Sequence, residues 1–225
     1  MANCFVRIDL AIRRCDLRFH KKISSMRKTI SEKVGQPIFP RYAYKIVNTS
    51  DQRSRNLILI GFMGTGKTTI GKKVAKSLGF RFVDTDHLIS KRAGKSIPKI
   101  FEEDGEEAFR QLETELLRDC AAETDQVIST GGGIVTREEN RQILKHAGYV
   151  IWLKASPETI YERVRRNRNR PLLQTENPEE TIREMLEDRK DSYGAANDFE
   201  VKTDGLSLEE TCFGISESAR LALGV

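Results

Sequence analysis

One stretch constrains this chain more than any other: Gly61-Phe62-Met63-Gly64-Thr65-Gly66-Lys67-Thr68-Thr69, directly after the apolar run Asn56-Leu-Ile-Leu-Ile60. It fits G-x-x-x-x-G-K-[ST], with a β-type segment before it and a helical pattern after it, the context that the motif requires. Its glycines allow a tight turn in which several backbone N–H groups converge on one anion, where any Cβ would obstruct. The helix N-terminus that follows adds partial positive charge. Lys67 is placed to reach β and γ phosphates, and the Thr68 hydroxyl stands at the first turn, where it can ligate Mg²⁺. A glycine-rich turn with a chance lysine would not come with this strand and helix around it. Nucleotide binding is the starting expectation.

Length and composition allow one sizeable core plus an appendage: 225 residues, 38% of them hydrophobic. The net charge of +5 is unevenly placed. Residues 1–55 carry 13 Lys and Arg against 4 Asp and Glu, which leaves 25 against 29 for residues 56–225. The basicity belongs to the appendage, so bulk charge gives no reason to expect nucleic-acid binding by the main domain. Cys4, Cys15, Cys120 and Cys212 form no C-x-x-C pair; a reducing, cytoplasmic setting without disulfides or zinc is expected. No apolar run approaches the roughly 20 residues that span a bilayer.

Residues 1–55 are broken by Gly35, Pro37 and Pro40 and show no long periodic pattern. An organelle transit peptide is disfavoured by Asp9, Asp16 and Glu32 and by few serines, and a secretory signal by the lack of an apolar core. The expected reading is a disordered extension, translated in full only if Met1 rather than Met26 is the start. From Leu57 onward, short β-type runs alternate with helical segments, the signature of an α/β fold with a parallel sheet. Strands are expected at 57–60, 80–83, 126–129, 149–153 and 198–202. Helices are expected from the glycine-rich loop to about 78, from about 87, and over 96–103, 106–122, 137–145, 157–166, 179–190 and 207–223. Five arginines between Arg163 and Arg170, just before Pro171, cannot all be buried unpaired; they read as a mobile loop that receives anions.

In an open parallel sheet, ligands bind beyond the carboxyl ends of the strands. That rule brings three pieces of sequence to one rim: the phosphate loop after the first strand, Asp84-Thr85-Asp86 after the second, and Gly131-Gly132-Gly133 after the third. The third strand ends in Ser129-Thr130 without a carboxylate, so the acidic partner of the metal is expected to be Asp84 or Asp86. That favours a small-molecule kinase over a switch GTPase. Two carboxylates at i, i+2 of a strand end would point to opposite sides, one to the metal and one to a second substrate; the plainer alternative is that either caps the next helix. The triple glycine is either a tight turn or a close approach of backbone to substrate. Arg110 taken alone reads as a solvated arginine or a partner of Glu113.

Together these residues resemble the shikimate kinases. The phosphate loop, Asp84-Thr-Asp86, Ser96-Ile-Pro-Lys-Ile-Phe101 with Gly105 and Phe109-Arg110-Gln-Leu-Glu113, Gly131-Gly-Gly133 and Arg170-Pro-Leu-Leu173 stand in that family's order and spacing, over about residues 56–200. The resemblance implies a P-loop, nucleoside-monophosphate-kinase-like three-layer α/β fold with a five-stranded parallel sheet and a mobile lid. It also implies ATP-dependent phosphorylation of the 3-hydroxyl of shikimate, in the route to aromatic amino acids. Carried over residue by residue, Gly64, Thr65, Gly66, Lys67, Thr68 and Thr69 hold ATP, and Thr68 and Asp84 stand at Mg²⁺. Asp86 orients or deprotonates the attacking hydroxyl, Arg110 and Arg189 clamp the carboxylate, and the backbone of Gly132 and Gly133 meets the ring hydroxyls. Arg170 folds with the lid onto the phosphates, Arg163 lies against the adenine, and Phe101 and Phe109 form an apolar wall. A monomer with small-molecule substrates and no nucleic-acid or membrane partner is expected.

Two departures from the family pattern stand out. The arginine at 189 is followed by Lys-Asp-Ser-Tyr193 rather than by a Pro-Leu pair before the tyrosine, and Thr203-Asp-Gly-Leu206 matches the adenine loop poorly. The alternatives are a kinase for another small hydroxy acid such as gluconate, and a nucleotide-binding regulatory module without catalysis. The Asp-Thr-Asp and Phe-Arg-x-x-Glu combination disfavours the first; the intact set of Lys67, Thr68, Asp84, Asp86, Arg110, Arg170 and Arg189 disfavours the second.

Overall fold

The structure is a computed structural model that describes residues 53–165 and 177–225. The N-terminal extension up to residue 52 and Arg170, with most of the expected lid, lie outside the described residues. Elements follow in the order β1 (Leu57–Ile60), α1 (Lys67–Leu78), β2 (Arg81–Asp84), α2 (Thr85–Ala93), α3 (Ile97–Glu103), α4 (Gly105–Ala121) and β3 (Gln126–Ser129). A 3₁₀ turn (Ile134–Thr136), α5 (Glu138–Ala147), β4 (Tyr149–Lys154), α6 (Pro157–Val164), α7 (Pro178–Ala196), β5 (Phe199–Lys202) and α8 (Leu208–Leu223) complete it.

The strands form one parallel sheet in the order β2-β3-β1-β4-β5. Strand β1 is an unbroken apolar run and β4 nearly so because helices cover both faces, and the two-residue period sorts their side chains between them. Leu57 and Leu59 of β1, with Tyr149, Ile151 and Leu153 of β4, pack against α1 and α8. Ile58 and Ile60, with Val150 and Trp152, face α2, α4, α5 and α7. A smaller cluster sets Phe62 of the glycine-rich loop against Ile160 and Val164 of α6 and Ile182 of α7.

Where the elements differ from their sequence expectation, tertiary packing is the reason. Helix α7 continues six residues past the expected end at 190, to Ala196. Ser192 and Gly194 are weak helix formers, but Tyr193 and Ala196 are buried against the sheet and hold the last turns in place. The second correction concerns Asp84 and Asp86. They do not alternate across a strand, because α2 begins at Thr85 directly after β2. Asp84 ends the strand and caps the helix, and Asp86 stands in the first helical turn.

The amino ends of three strands are joined by Asn56, which is fully buried. Its Nδ2 donates to the carbonyls of Glu123 (2.8 Å) and Ala147 (3.0 Å), and its Oδ1 accepts from the Gln126 N–H (3.1 Å). Its main-chain carbonyl accepts from the Tyr149 N–H at 2.8 Å. Removing the amide strands the buried Ala147 carbonyl and Gln126 N–H and the partly buried Glu123 carbonyl, each a cost. Asn56→Ala should therefore lower stability by about 2–4 kcal/mol, read as a fall in Tm of roughly 5–15 °C. A transition within about one degree of wild type would show that the amide is not what joins these strands.

Candidate active site

An open cleft of about 590 Å³ lies at the carboxyl ends of the strands. Its floor is the loop between β1 and α1, where Gly61, Gly64 and Gly66 have φ of +144°, +77° and +96°, values that side chains rarely tolerate. The loop is also tightly enclosed: a Cβ at Gly61 would stand 2.4 Å from the Leu153 carbonyl oxygen, and one at Gly64 would stand 2.8 Å from Val164. Glycine is required twice over, by conformation and by space. The Lys67 Nζ donates across the loop to the carbonyls of Gly61 (2.7 Å) and Phe62 (2.9 Å). Helices α4, α5, α7 and α8 begin with acidic residues that neutralise their dipoles, while α1 has none in its first turn. Its positive end is left for an anion.

Beside the loop, Thr68 donates its hydroxyl to Asp84 Oδ2 at 2.8 Å, and Ser129 Oγ lies 3.5 Å from Thr68 Oγ1. The register pairs Asp84 of β2 with Ser129 of β3, which in turn lies beside β1 at the rim. Asp84 Oδ1 also accepts from the His87 N–H at 3.3 Å, so capping α2 and reaching Thr68 are tasks of one carboxylate. These hard oxygen donors suit a magnesium ion, which is held by one or two protein oxygens and completes its shell with water and phosphate. Among the described residues no group of three or more His, Cys, Asp and Glu side chains could hold a metal by itself.

The triple glycine is a place of close approach. A Cβ on Gly131 would stand 2.5 Å from Glu113 Oε1 and 2.8 Å from Asp86 Oδ1, and one on Gly133 would stand 2.3 Å from Arg110 Nη1. Two carboxylates and a guanidinium thus lie against this short backbone segment. Arg110 bonds Glu113 at 2.5 Å and Glu106 at 2.9 Å, so the glutamate pairing read from sequence is present, and the same side chain lines the cleft. Burial pushes the Glu113 carboxyl above the usual carboxylate range; Arg110 pulls it down, and nearby Asp86 pushes it up. The Arg110 guanidinium is held above its ordinary range: burial opposes this, but Glu113 and Glu106 outweigh it.

Arg189 enters from α7. Its Nη1 donates to the Gly132 carbonyl at 3.4 Å, and its guanidinium lies 5.6 Å from the Phe62 ring centroid. Arg189 therefore keeps its place although Asp191-Ser192 replaces the expected Pro-Leu. Phe101 and Phe109 meet as a tilted pair, with centroids 4.7 Å apart and planes at 38°, at the cleft wall. At the opposite end, Arg163 donates to the Gly64 carbonyl (3.2 Å) and to Thr203 Oγ1 (3.0 Å).

All predicted site residues but Arg170 are brought to this rim, and Arg170 lies outside the described residues. Sequence reasoning assigned no place here to Ser129, Thr203, Leu206 or Tyr193, and it treated Glu113 only as a possible partner of Arg110. Ser129 could have been found as the residue that ends β3 beside the second strand. Tyr193 could not, because its contact with the Gly132 carbonyl depends on how α7 packs.

A family model described as "Shikimate kinase" matches residues 63–219. The shikimate kinase of Thermodesulfovibrio yellowstonii is 49% identical over 171 residues, 76% of this chain and 98% of that protein. That of Caldanaerobacter subterraneus is 46% identical over 156 residues, 69% and 91% of the two chains. Among solved structures, shikimate kinase from Acinetobacter baumannii in complex with shikimate aligns with a TM-score of 0.70 and 37% identity, over 77% of this chain and 95% of that one. The enzyme from Aquifex aeolicus aligns with a TM-score of 0.61 and 37% identity, over 72% and 94%. With more than half its length matched and relatives this similar along almost their entire length, the chain belongs to the shikimate kinase family.

Proposed function

We propose that this chain transfers the γ-phosphoryl group of ATP to the 3-hydroxyl of shikimate, giving shikimate 3-phosphate and ADP. One observation carries the reading. A phosphate-binding loop with Lys67 shares a cleft with Asp86, Arg110 and Arg189, gathered around the Gly131–Gly133 backbone. Phosphoryl transfer asks for positioning and charge neutralisation more than for covalent help, and this arrangement offers both.

In this reading Gly64, Thr65, Gly66, Thr68 and Thr69 surround the ATP phosphates and Lys67 neutralises charge as it builds on them. Asp86 orients the attacking hydroxyl and accepts its proton. Arg110 and Arg189 take the carboxylate, whose two oxygens fit a guanidinium fork, and the N–H groups of Gly132 and Gly133 meet ring hydroxyls. Thr68 and Asp84 would hold Mg²⁺, which supplies charge neutralisation to the β and γ phosphates when bound. Arg163 meets the base, and Arg170 is assigned to the phosphates on the resemblance alone. The reading includes a monomeric enzyme with small-molecule substrates. A cytoplasmic setting is supported by Cys120 and Cys212, both buried free thiols. Among the described residues, no helix is long and apolar enough to cross a membrane.

The test is an ADP-release assay with Mg·ATP and shikimate, gluconate or no acceptor. Shikimate-dependent turnover is expected. Asp86→Asn should lower kcat about 10²–10⁴-fold, and Lys67→Ala about 10²–10³-fold, with folded protein in both. Turnover with gluconate alone would overturn the substrate, and full activity of Lys67→Ala would overturn the phosphate-loop assignment.

A second measurement addresses Glu113. Its carboxyl is raised in the folded state, so the native protein binds that proton more tightly than the unfolded chain does. The resulting stability is present at low pH and is lost as pH rises from the ordinary glutamate range through the raised value. Glu113→Gln lacks this dependence. The stability gap between wild type and variant, followed by urea unfolding from pH 4 to 7, should narrow as pH rises. A gap that widens would mean that the ion pair with Arg110 outweighs burial.

A further inference from the structure

Tyr193 has no part in the assignments above, yet its hydroxyl makes a short bond inside the cleft wall. Its ring is fully buried and stacks on Trp152, with centroids 5.1 Å apart and planes at 17°. Packing accounts for the ring, and a phenylalanine would fill the same space. It does not account for the hydroxyl, which donates to the Gly132 carbonyl at 2.5 Å. The same oxygen takes the longer bond from Arg189 Nη1 at 3.4 Å. The two donors share one face of α7 at i, i+4. That helix runs unbroken through Asp191 and Ser192, where a proline would remove an N–H donor from the helical ladder.

Two consequences follow from elementary geometry. In a planar trans peptide, C=O and the next N–H point in opposite directions, so holding the Gly132 carbonyl toward α7 aims the Gly133 N–H away from it. Among the described residues, no protein acceptor takes the N–H of Gly132 or Gly133, so both remain available to a ligand. A carbonyl partly shielded from water also loses stability without a donor. With the phenol in place, the Arg189 guanidinium can turn to a substrate carboxylate without leaving that oxygen unbonded. Burial drives the phenol well above the ordinary tyrosine range, against the pull of Arg189, so it stays protonated and able to donate at working pH.

We infer that Tyr193 is a positioning residue for the acceptor substrate: its hydroxyl fixes the Gly132–Gly133 peptide in the binding orientation and leaves Arg189 free for the carboxylate. This rests on the reading of the cleft as a shikimate pocket. It names an effect on acceptor binding, separate from nucleotide binding and from chemistry.

The test compares Tyr193→Phe, which deletes the hydroxyl and keeps the ring, with Trp152→Phe, which alters the stack and keeps the hydroxyl. Steady-state constants and Tm are measured on the full chain. For Tyr193→Phe, the KM for shikimate should rise about 3- to 10-fold, the effect of one lost hydrogen bond, with kcat and the KM for ATP within about twofold of wild type. Trp152→Phe should shift Tm and leave the shikimate KM within about twofold. An unchanged shikimate KM in Tyr193→Phe, or an equal rise in Trp152→Phe, overturns the inference while wild-type turnover upholds the pocket. Wild-type protein that turns over no shikimate overturns the pocket reading and this inference with it.

Discussion

The cleft depends first on backbone that side chains would exclude. The turn between β1 and α1 is held against the end of β4 and the body of α6, with space at Gly61 and Gly64 for hydrogen atoms and nothing larger. This packing fixes where the N-terminus of α1 points. It also ties the phosphate cradle to the sheet on one side and to α6 on the other, so the loop is a rigid part of the structure. Phosphoryl transfer draws most of its acceleration from groups already in place when charge develops, which is what a loop wedged between buried elements supplies.

A second constraint is electrostatic. Residues 56–225 carry four more acidic than basic residues, yet Lys67, Arg110, Arg163 and Arg189 all line the cleft. Negative charge is spread over the surface and positive charge is concentrated where anionic substrates bind, which focuses the field into the concavity. The concentration is tempered from within. Glu113, 1% exposed, pairs with Arg110 and lies close to Asp86 against the backbone of Gly131. A buried guanidinium without such a partner would be costly. Burial raises the Glu113 carboxyl, Arg110 opposes the rise, and the neighbouring Asp86 adds a smaller push upward.

Much of the fold was legible because its signals are local. Apolar runs of β type marked five strands within a residue or so of their observed bounds, and the alternation of strand with helix implied a parallel sheet whose carboxyl ends gather the site. The errors lie where tertiary contact overrules local preference. The last turns of α7 contain Ser192 and Gly194 and gave no helical signal, and they persist because Tyr193 and Ala196 are buried. The carboxylates of Asp84-Thr85-Asp86 were read with strand geometry because nothing in those three residues shows that the helix starts at the second of them.

The site divides along the same line. Residues whose chemistry is declared by a motif, such as Lys67, Thr68 and the glycines of the phosphate loop, could be read directly. Residues that matter through what they touch could be read only in part: Glu113 stood out as a motif residue and a possible partner of Arg110, and Tyr193 as the tyrosine after Arg189, but the backbone each one meets was not legible. The two converge on the same short segment, Glu113 against Gly131 and Tyr193 on the carbonyl of Gly132. Having no side chains, these glycines can offer a substrate only backbone N–H groups, and nothing intrinsic holds those groups in one orientation. The surrounding structure must supply the rigidity, so a segment chosen for its emptiness needs α4 on one side and α7 on the other to become specific.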